Sequence, residues 1–319
     1  MNNNPLKELN TSFHDYVFKQ KWAAKSHMDG NGLPDYAFAS DFELRKKLDS
    51  IPHFYSMSRK VAATYASRQL QIINQNAIAV TPHQFPEVYS IGKDCAKILG
   101  IGIPNIYILS SQTLNAMAYC TDDIEPLIVI HSSLYERFTP GELKFIIGHE
   151  CGHIHNMHGV YSLMAQVLVN GGTNLLLLEG IMTLGLLNIA MTSAKYALSA
   201  WSRAMEVTCD RAGMICCERL EDAYTAQAKL LYGAAFGEHK INFDDIMKQL
   251  ELQESNIARL EELSRSHPAA ARRIAAEKYF ADCEVLYKWR PDLKQPGQFL
   301  RSREQTDELC KQCINIIKD

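Results

Sequence analysis

The sequence predicts an α+β protein that is mostly helical and contains a small β-sheet. Three short β-rich runs, at 105–109, 114–120 and 127–130, are compatible with such a sheet. The longer segments on either side of them carry apolar residues at helical spacing. With 319 residues, of which 47% are hydrophobic and 22% charged, the chain is long enough to bury a sizeable core.

Three segments are expected along the chain. Residues 1–75 are predicted to form an N-terminal arm and a helix, since glycines and prolines interrupt the polar first 50 residues. Residues 76–280 are predicted to form the main domain, and residues 281–319 a helical tail. Within the main domain, the apolar stretch 160–200 is predicted to be a helical hairpin.

The elements that lead into the sheet follow from local signals. A helix is expected from about residue 56 to 74, and a short strand at 76–80. Thr81-Pro82 is typical of a helix start, and the glycines at 100 and 102 predict that this second helix ends near Leu99.

The apolar window 175–194 allows two interpretations. It is long enough to span a bilayer. It also contains Glu179, Asn188 and two glycines, and no basic cluster flanks it. A buried or surface-docked hairpin is therefore favoured over an integral span, with peripheral membrane contact through 160–200 as an expectation.

Charge and cysteine content exclude several classes of protein. A net charge of −3 argues against a nucleic-acid-binding surface. The first ten residues lack the charged-then-apolar pattern of a signal peptide, so a cytoplasmic protein is expected. Nine cysteines without a framework spacing favour reduced thiols. Cys310 and Cys313 form an isolated C-x-x-C pair, which is expected to be incidental because no second pair lies nearby.

The segment TPGEL at 139–143 predicts a helix start. Thr139 can cap the helix, Pro140 suits its first position, and Glu142 falls where a capping box requires it. Apolar residues then recur on one side, and Gly159 is the expected end of the helix.

This helix carries the string HECGH at 149–153. A His-Glu-x-x-His string arises by chance in roughly one chain in forty of this length and composition, so a polar patch is the alternative to a metal site. His149 and His153 lie one turn apart, with about 6 Å between their Cβ atoms. Both imidazoles can therefore reach one zinc ion.

Other nearby side chains are expected to lie off the metal. His155 and His158 are offset from the ligand face and are predicted to be hydrogen-bonded or solvated residues at the helix end. Cys151 and Cys209 are predicted to point elsewhere, as core thiols.

A zinc site that keeps one position for water needs a third protein ligand. The segment AWSRAMEVTCDRAGM at 200–214 offers Glu206 and, one turn later on the same face, Asp210. Asp210 can accept the far ring N–H of a ligand histidine. A solvated acidic face is the usual alternative, but the other sides of this segment are apolar, so both acids are expected to face a positive group.

In combination, HECGH and EVTCD resemble the gluzincin arrangement. The wider context is similar to the HtpX and CAAX-prenyl-protease relatives of peptidase family M-forty-eight. LNAMAY, HECGHIHNMHGV, WSRAMEVTCDRAG and SHPAAARRI follow the family pattern in order, over roughly residues 76–275. The sequence of these motifs is most similar to that of a compact group within the family, whose members are usually not polytopic.

The resemblance implies a zincin-like metalloprotease fold with a small sheet and two zinc-bearing helices. It implies His149, His153 and Glu206 as ligands of one zinc ion per chain. Glu150 is implied as the catalytic base, and Asp210 as the residue behind a ligand.

The resemblance also implies further cleft residues. A strand bordering the cleft would pair with substrate backbone; it comprises Asn115, Ala116, Met117 and Ala118. Met117 stands where a larger aromatic residue is common, which bears on substrate preference. His267 and either Arg272 or Arg273 match a segment that can approach the zinc and are candidates for stabilising an oxyanion. For His267, a structural histidine before a proline turn is the alternative.

The chemistry of these residues predicts an active zinc endopeptidase. Zinc with an open position lowers the pKa of bound water from about 15.7 toward about 7. Glu150 adjoins a ligand without lying on the ligand face, so it can act as general base. Pairing with a strand favours extended or unfolded polypeptide substrates. One alternative is a zinc hydrolase of another amide bond. The other is a zinc-bound chaperone-like module with little turnover, and the intact Glu150 disfavours this second alternative. No oligomeric state is predicted.

Overall fold

The computed structural model describes residues 27–28, 33–121, 124–169, 187–233, 242, 245, 248 and 270–314. Within these ranges it confirms an α+β fold that is mostly helical. The helices are α1 (Ala39–Asp49), α2 (Phe54–Asn76), α3 (Pro86–Leu99), α4 (Ser132–Arg137), α5 (Pro140–His155), α6 (Gly159–Val169), α7 (Leu187–Cys216), α8 (Leu220–Tyr232), α9 (Ala270–Ala281), α10 (Glu284–Trp289) and α11 (Arg303–Ile314), with a 3₁₀ turn at Pro291–Leu293.

Four strands form one mixed sheet in the order β1-β2-β4-β3. The strands are β1 (Ala77–Ala79), β2 (Asn105–Leu109), β3 (Ala116–Tyr119) and β4 (Leu127–His131). β2 and β4 are parallel, and the outer strands β1 and β3 each run antiparallel to their neighbour. The first four residues of β4 are apolar and buried, as expected for an inner strand. β3 is therefore an edge strand of this sheet.

Helix α5 begins as the sequence predicts and ends earlier. The Thr139 side chain accepts the N–H of Glu142, and the Glu142 carboxylate accepts the N–H of Thr139, which completes the capping box. The helix ends at His155 rather than near Gly159, because Met157 turns into the left-handed region at φ 56°. Gly159 instead begins α6, where a Cβ would collide with the carbonyl oxygen of Cys120.

Two further predicted boundaries were wrong. Residues 39–49 form α1, within the stretch that the sequence predicts to be an N-terminal arm, because tertiary contacts of Asp41 replace an apolar stripe. The helix expected from Thr81-Pro82 begins at Pro86. Thr81 and Gln84 instead close a tight turn through mutual backbone hydrogen bonds of 2.8 and 3.1 Å.

The described parts of residues 1–75 and 281–319 pack directly against the main domain. The Arg211 guanidinium on α7 is buried, lies 2.7 Å from Asp307 Oδ1 on α11, and donates to the Tyr36 carbonyl. Asp307 also accepts the backbone N–H of Ala39 at the start of α1. The two ends of the described chain are thus joined through α7.

Most of the apolar window at 175–194 lies outside the described residues; 187–194 belong to α7. No helix in the described ranges combines the length and apolar character needed to cross a bilayer. Peripheral membrane contact through 160–200 stays a prediction.

Candidate active site

Helices α5 and α7 cross at near-backbone distance, and small residues make this possible. A Cβ on Gly148 would lie 2.7 Å from Cys216 Cβ, and one on Gly152 would lie 2.8 Å from Ala212 Cβ. Both separations are shorter than carbon atoms tolerate. The contact brings the HECGH string of α5 against the Glu206 turn of α7.

The structure brings His149, His153 and Glu206 together around one point. The two Nε2 atoms lie 3.2 Å apart. Glu206 Oε2 lies 3.6 Å from His149 Nε2, and Oε1 lies 3.9 Å from His153 Nε2. Two ligand atoms on a tetrahedral zinc ion, each about 2.1 Å from it, are about 3.4 Å apart. The three side chains could therefore hold one such ion after small adjustments.

His149 is held from behind by a buried carboxylate. Its Nδ1 lies 2.9 Å from Asp210 Oδ1, which also accepts the Gln227 amide at 2.9 Å. Arg273 from α9 donates to both oxygens of Asp210, at 2.8 and 2.5 Å, and lies 3.1 Å from Glu206 Oε2. Burial alone would lower the pKa of His149, but the Asp210 hydrogen bond and the charge of Glu206 outweigh it and raise that pKa.

Glu277 lies one turn after Arg273 on α9, and its carboxyl group is also buried. Among the described residues, neither its carboxyl oxygens nor Gln227 Oε1 has a hydrogen-bond partner of ordinary geometry. Burial and then the charge of Asp210 raise the pKa of Glu277 well above its usual value. Glu277 therefore favours its neutral form more than an exposed glutamate does, and it lies on the helix that also carries Arg273.

His153 is held by a different partner, which the sequence does not predict. Its Nδ1 lies 3.3 Å from His158 Nδ1, and His158 Nε2 lies 3.0 Å from Asp41 Oδ2 on α1. The prediction that Cys209 points away was wrong. Its sulfur lies 3.5 Å from His158 Nδ1, because it follows Glu206 by three residues on the same helix face. His155, as expected, is hydrogen-bonded elsewhere, 2.9 Å from the hydroxyl of Tyr36.

Cys209 is thus an alternative to Glu206 as the third ligand. His149, His153 and Cys209 offer ligand atoms within 4.8 Å of one another. Burial, followed by the charges of Glu206 and other nearby groups, raises the pKa of the Cys209 thiol well above its usual range. Glu206 is the better placed donor, because its two carboxylate oxygens lie 3.6 and 3.9 Å from the Nε2 atoms of His149 and His153, whereas the Cys209 sulfur lies against His158 Nδ1.

Glu150 lies at the wall of the same site and is 6% exposed. Its carboxylate accepts the backbone N–H of Ala118 on β3. Burial raises the pKa of Glu150 to about 7; His149 opposes this shift, and Glu206 reinforces it. A carboxylate with a pKa near neutrality can both take and return a proton.

A cleft of about 430 Å³ opens on these groups. The predicted strand residues Asn115, Ala116, Met117 and Ala118 line it, with His149, Glu150, His153, Glu206 and Arg273. Apolar walls and a few polar groups complete the lining: Tyr65, Leu114, Leu134, Phe145, Ile146, Ser162, Ala165, Gln166, Ser202, Met205 and Leu230. Since β3 is an edge strand, its backbone borders the cleft directly.

The prediction of Arg272 as a cleft residue was wrong. Its guanidinium donates to the Cys313 carbonyl at 2.8 Å, on the side of α9 that faces α11. Adjacent residues of a helix point about 100° apart, so Arg273 occupies the cleft instead. His267 lies outside the described residues, and its role stays a prediction.

Fold and site together define the class of this chain as a zincin-like α+β fold with a candidate metal centre. Two helices present histidines and carboxylates around one point, and a further glutamate lies in the cleft beside an edge strand. The chain belongs to peptidase family M48, whose family model matches residues 82–280.

Several curated proteins are similar to this chain. A plastoglobule-localized metallopeptidase 48 of chloroplasts in Arabidopsis thaliana is 26% identical over 216 residues, which cover 67% of this chain and 60% of the plant protein. Protease HtpX homologs from Thermococcus kodakarensis and Acaryochloris marina are 30% and 28% identical, each over 37% of their own length and about a third of this chain. The chain thus matches less than two thirds of the length of these relatives. No solved structure matches it significantly.

Proposed function

We propose that this protein is a zinc-dependent endopeptidase that cleaves extended or unfolded polypeptides. The observation that carries the proposal is the convergence of His149, His153, Glu206 and Glu150 in one cleft beside β3. Membership in a metallopeptidase family supports the same class of reaction.

The proposed zinc ligands are His149 and His153 through Nε2 and Glu206 through its carboxylate. A set of two imidazoles and one carboxylate leaves the fourth position open, as in catalytic zinc sites. Asp210 and Arg273 position this set, since they hold the far side of His149 and one oxygen of Glu206.

A zinc ion bound there would supply Lewis-acid polarisation of the scissile carbonyl and activation of a water molecule. Glu150 takes a proton from the water molecule while the water oxygen forms a bond to the carbonyl carbon. Glu150 then returns the proton to the amide nitrogen as the C–N bond breaks. Its hydrogen bond from Ala118 N–H fixes the base relative to the strand that would bind substrate.

The proposed substrate is a polypeptide in extended conformation. Such a chain would add to the outer edge of β3, which pairs with no other strand of the described sheet, and main-chain hydrogen bonds would bind it without requiring a particular sequence. A cleft of about 430 Å³ accommodates a few side chains and not a folded domain. Unfolded casein-like chains are expected to be cleaved, and short dipeptides are not.

Arg273 is proposed as a positioning residue and not as the oxyanion donor. Its guanidinium is already engaged by Asp210 and Glu206. Of the two groups proposed for the oxyanion from sequence, His267 therefore stays the candidate.

The test pairs elemental zinc analysis with cleavage of an unfolded chain. Wild type and Glu150→Gln are both expected to hold one zinc per chain, and only the wild type is expected to cleave. Glu206→Ala should lose zinc, whereas Cys209→Ala should retain it. Zinc in both proteins with cleavage in neither would indicate a binding module, and no zinc in either would refute the proposal.

Membrane association is a separate part of the proposal. The name of the Arabidopsis relative places that protein at plastoglobules, and 160–200 is the most apolar part of this chain. Flotation of the purified protein with lipid vesicles is expected. Recovery in the vesicle-free fraction would refute membrane contact and leave the peptidase assignment intact.

A further inference from the structure

We propose that His158 and Asp41 form a relay that orients His153, so that both zinc histidines are positioned by buried carboxylates. The proposal rests on the zinc site proposed above. His158 and Asp41 become positioning residues, since neither reaches the cleft.

The relay is a continuous chain of hydrogen bonds, partly buried at His153 and fully buried at Asp41. His153 Nδ1 lies 3.3 Å from His158 Nδ1, and His158 Nε2 lies 3.0 Å from Asp41 Oδ2. Asp41 also accepts the Trp201 indole N–H at 2.9 Å and the Thr208 hydroxyl at 2.7 Å. His158 is 1% exposed and Asp41 is 5% exposed, so water does not compete for these bonds.

The arrangement allows one proton order along the relay. His153 turns Nε2 toward His149 and Glu206, so its ring proton belongs on Nδ1 when Nε2 is a ligand. His158 Nδ1 must then accept that proton's hydrogen bond, which places the proton of His158 on Nε2. Asp41, a pure acceptor when ionised, receives it. Each donor in the series meets an acceptor.

The two ligand histidines are thus supported in different ways. His149 contacts the carboxylate of Asp210 directly, at 2.9 Å. His153 reaches the carboxylate of Asp41 through an intervening imidazole. Because Asp41 lies on α1, the relay makes the geometry of the zinc site depend on an N-terminal helix that contributes nothing to the cleft lining.

The experiment measures zinc affinity of the full chain by competition with a chelator. His158→Gln retains one hydrogen-bond acceptor and one donor for the relay, whereas His158→Phe fills the same space and provides neither group. Loss of such an outer partner typically weakens metal binding about 10–100-fold. We expect that loss for His158→Phe and for Asp41→Ala, no further loss when the two are combined, and near wild-type affinity for His158→Gln.

The matched control is His155→Phe, which removes a neighbouring imidazole that bonds Tyr36 and not His153. It is expected to keep the zinc affinity. A fold-independent readout is the ¹⁵N NMR spectrum of zinc-loaded wild type, which should show His153 protonated on Nδ1.

Each outcome separates the relay from the proposed function. Equal loss in the Gln and Phe variants of His158, no loss in either, or a proton on Nε2 of His153 would overturn the relay. Tight zinc binding by the wild type together with either of the His158 results would leave the peptidase proposal standing, whereas a proton on Nε2 would also remove His153 from the proposed ligand set. Failure of the wild type itself to bind zinc would overturn both.

Discussion

Gly152→Ala tests whether the close crossing of α5 and α7 determines the activity. The added methyl would lie 2.8 Å from Ala212 Cβ and 3.1 Å from Cys209 Cα. Carbon atoms pack at about 3.5–4.0 Å, so the helices would have to separate by about 1 Å. Both obstructing atoms belong to the rigid part of α7 and cannot rotate away.

The expected loss is larger in function than in stability. Alanine in a helix interior gains about 1 kcal/mol over glycine, while overpacking costs about 1–3 kcal/mol. The net loss of stability is therefore about 0–2 kcal/mol. A shift of about 1 Å between catalytic groups reduces turnover about 100-fold.

The assay compares kcat/KM on an unfolded chain, zinc affinity and the thermal midpoint. Gly92→Ala is the control, since Gly92 lies on α3, outside the cleft, and its added methyl would press on the Ile106 side chain of β2. It should lose stability without losing zinc affinity. Wild-type kcat/KM and zinc affinity in Gly152→Ala would refute the reasoning, as would an equal loss of zinc affinity in the Gly92 variant.

Three further outcomes are expected. Arg273→Lys should weaken zinc binding about 10–100-fold in a chelator competition, because lysine cannot bridge two carboxylates as the guanidinium does, while Arg272→Lys should leave it unchanged. Glu277→Gln should stabilise the protein in chemical unfolding, increasingly so as the pH rises above about 4.5, the usual pKa of a glutamate. A carboxyl whose pKa is raised on folding loses stability as pH rises above its unfolded value, at about 1.4 kcal/mol per pH unit until the folded pKa is reached, and the amide has no such dependence. A stability difference that does not change with pH would contradict a raised pKa of Glu277. Thr139→Ala should lower the unfolding free energy by about 1 kcal/mol through the lost cap, and an unchanged value would contradict that role.

Elements with strong local signals were predictable from the sequence. The capping box at Thr139 is a short-range pattern, and the helix start that it predicts is the start of α5 in the structure. The strands at 105–109 and 127–131 are dense in β-branched residues and emerged nearly as predicted. The spacing of His149 and His153 likewise needs only helical geometry.

Features that depend on distant partners were not predictable. α1 buries a charged residue, Asp41, whose partners lie more than 100 residues away, so no apolar stripe announces it. The roles of Arg272 and Arg273 differ only by the rotation between adjacent helix positions, which the sequence does not resolve. His158 acquires its contact with His153 through the left-handed turn at Met157, a conformation with no glycine to signal it.

The junction between the two ends of the described chain has a consequence for biosynthesis. α7, which carries Glu206, is held by Asp41 from α1 and, through Arg211, by Asp307 from α11. Asp307 follows the HECGH string by more than 150 residues, and Arg273 also emerges long after it. Contacts of such long range can form only after all of the intervening residues have been synthesised. A nascent chain on the ribosome therefore carries the HECGH string well before Arg273 and Asp307 are available to hold α7, so the candidate metal site is completed only after α11 has been made.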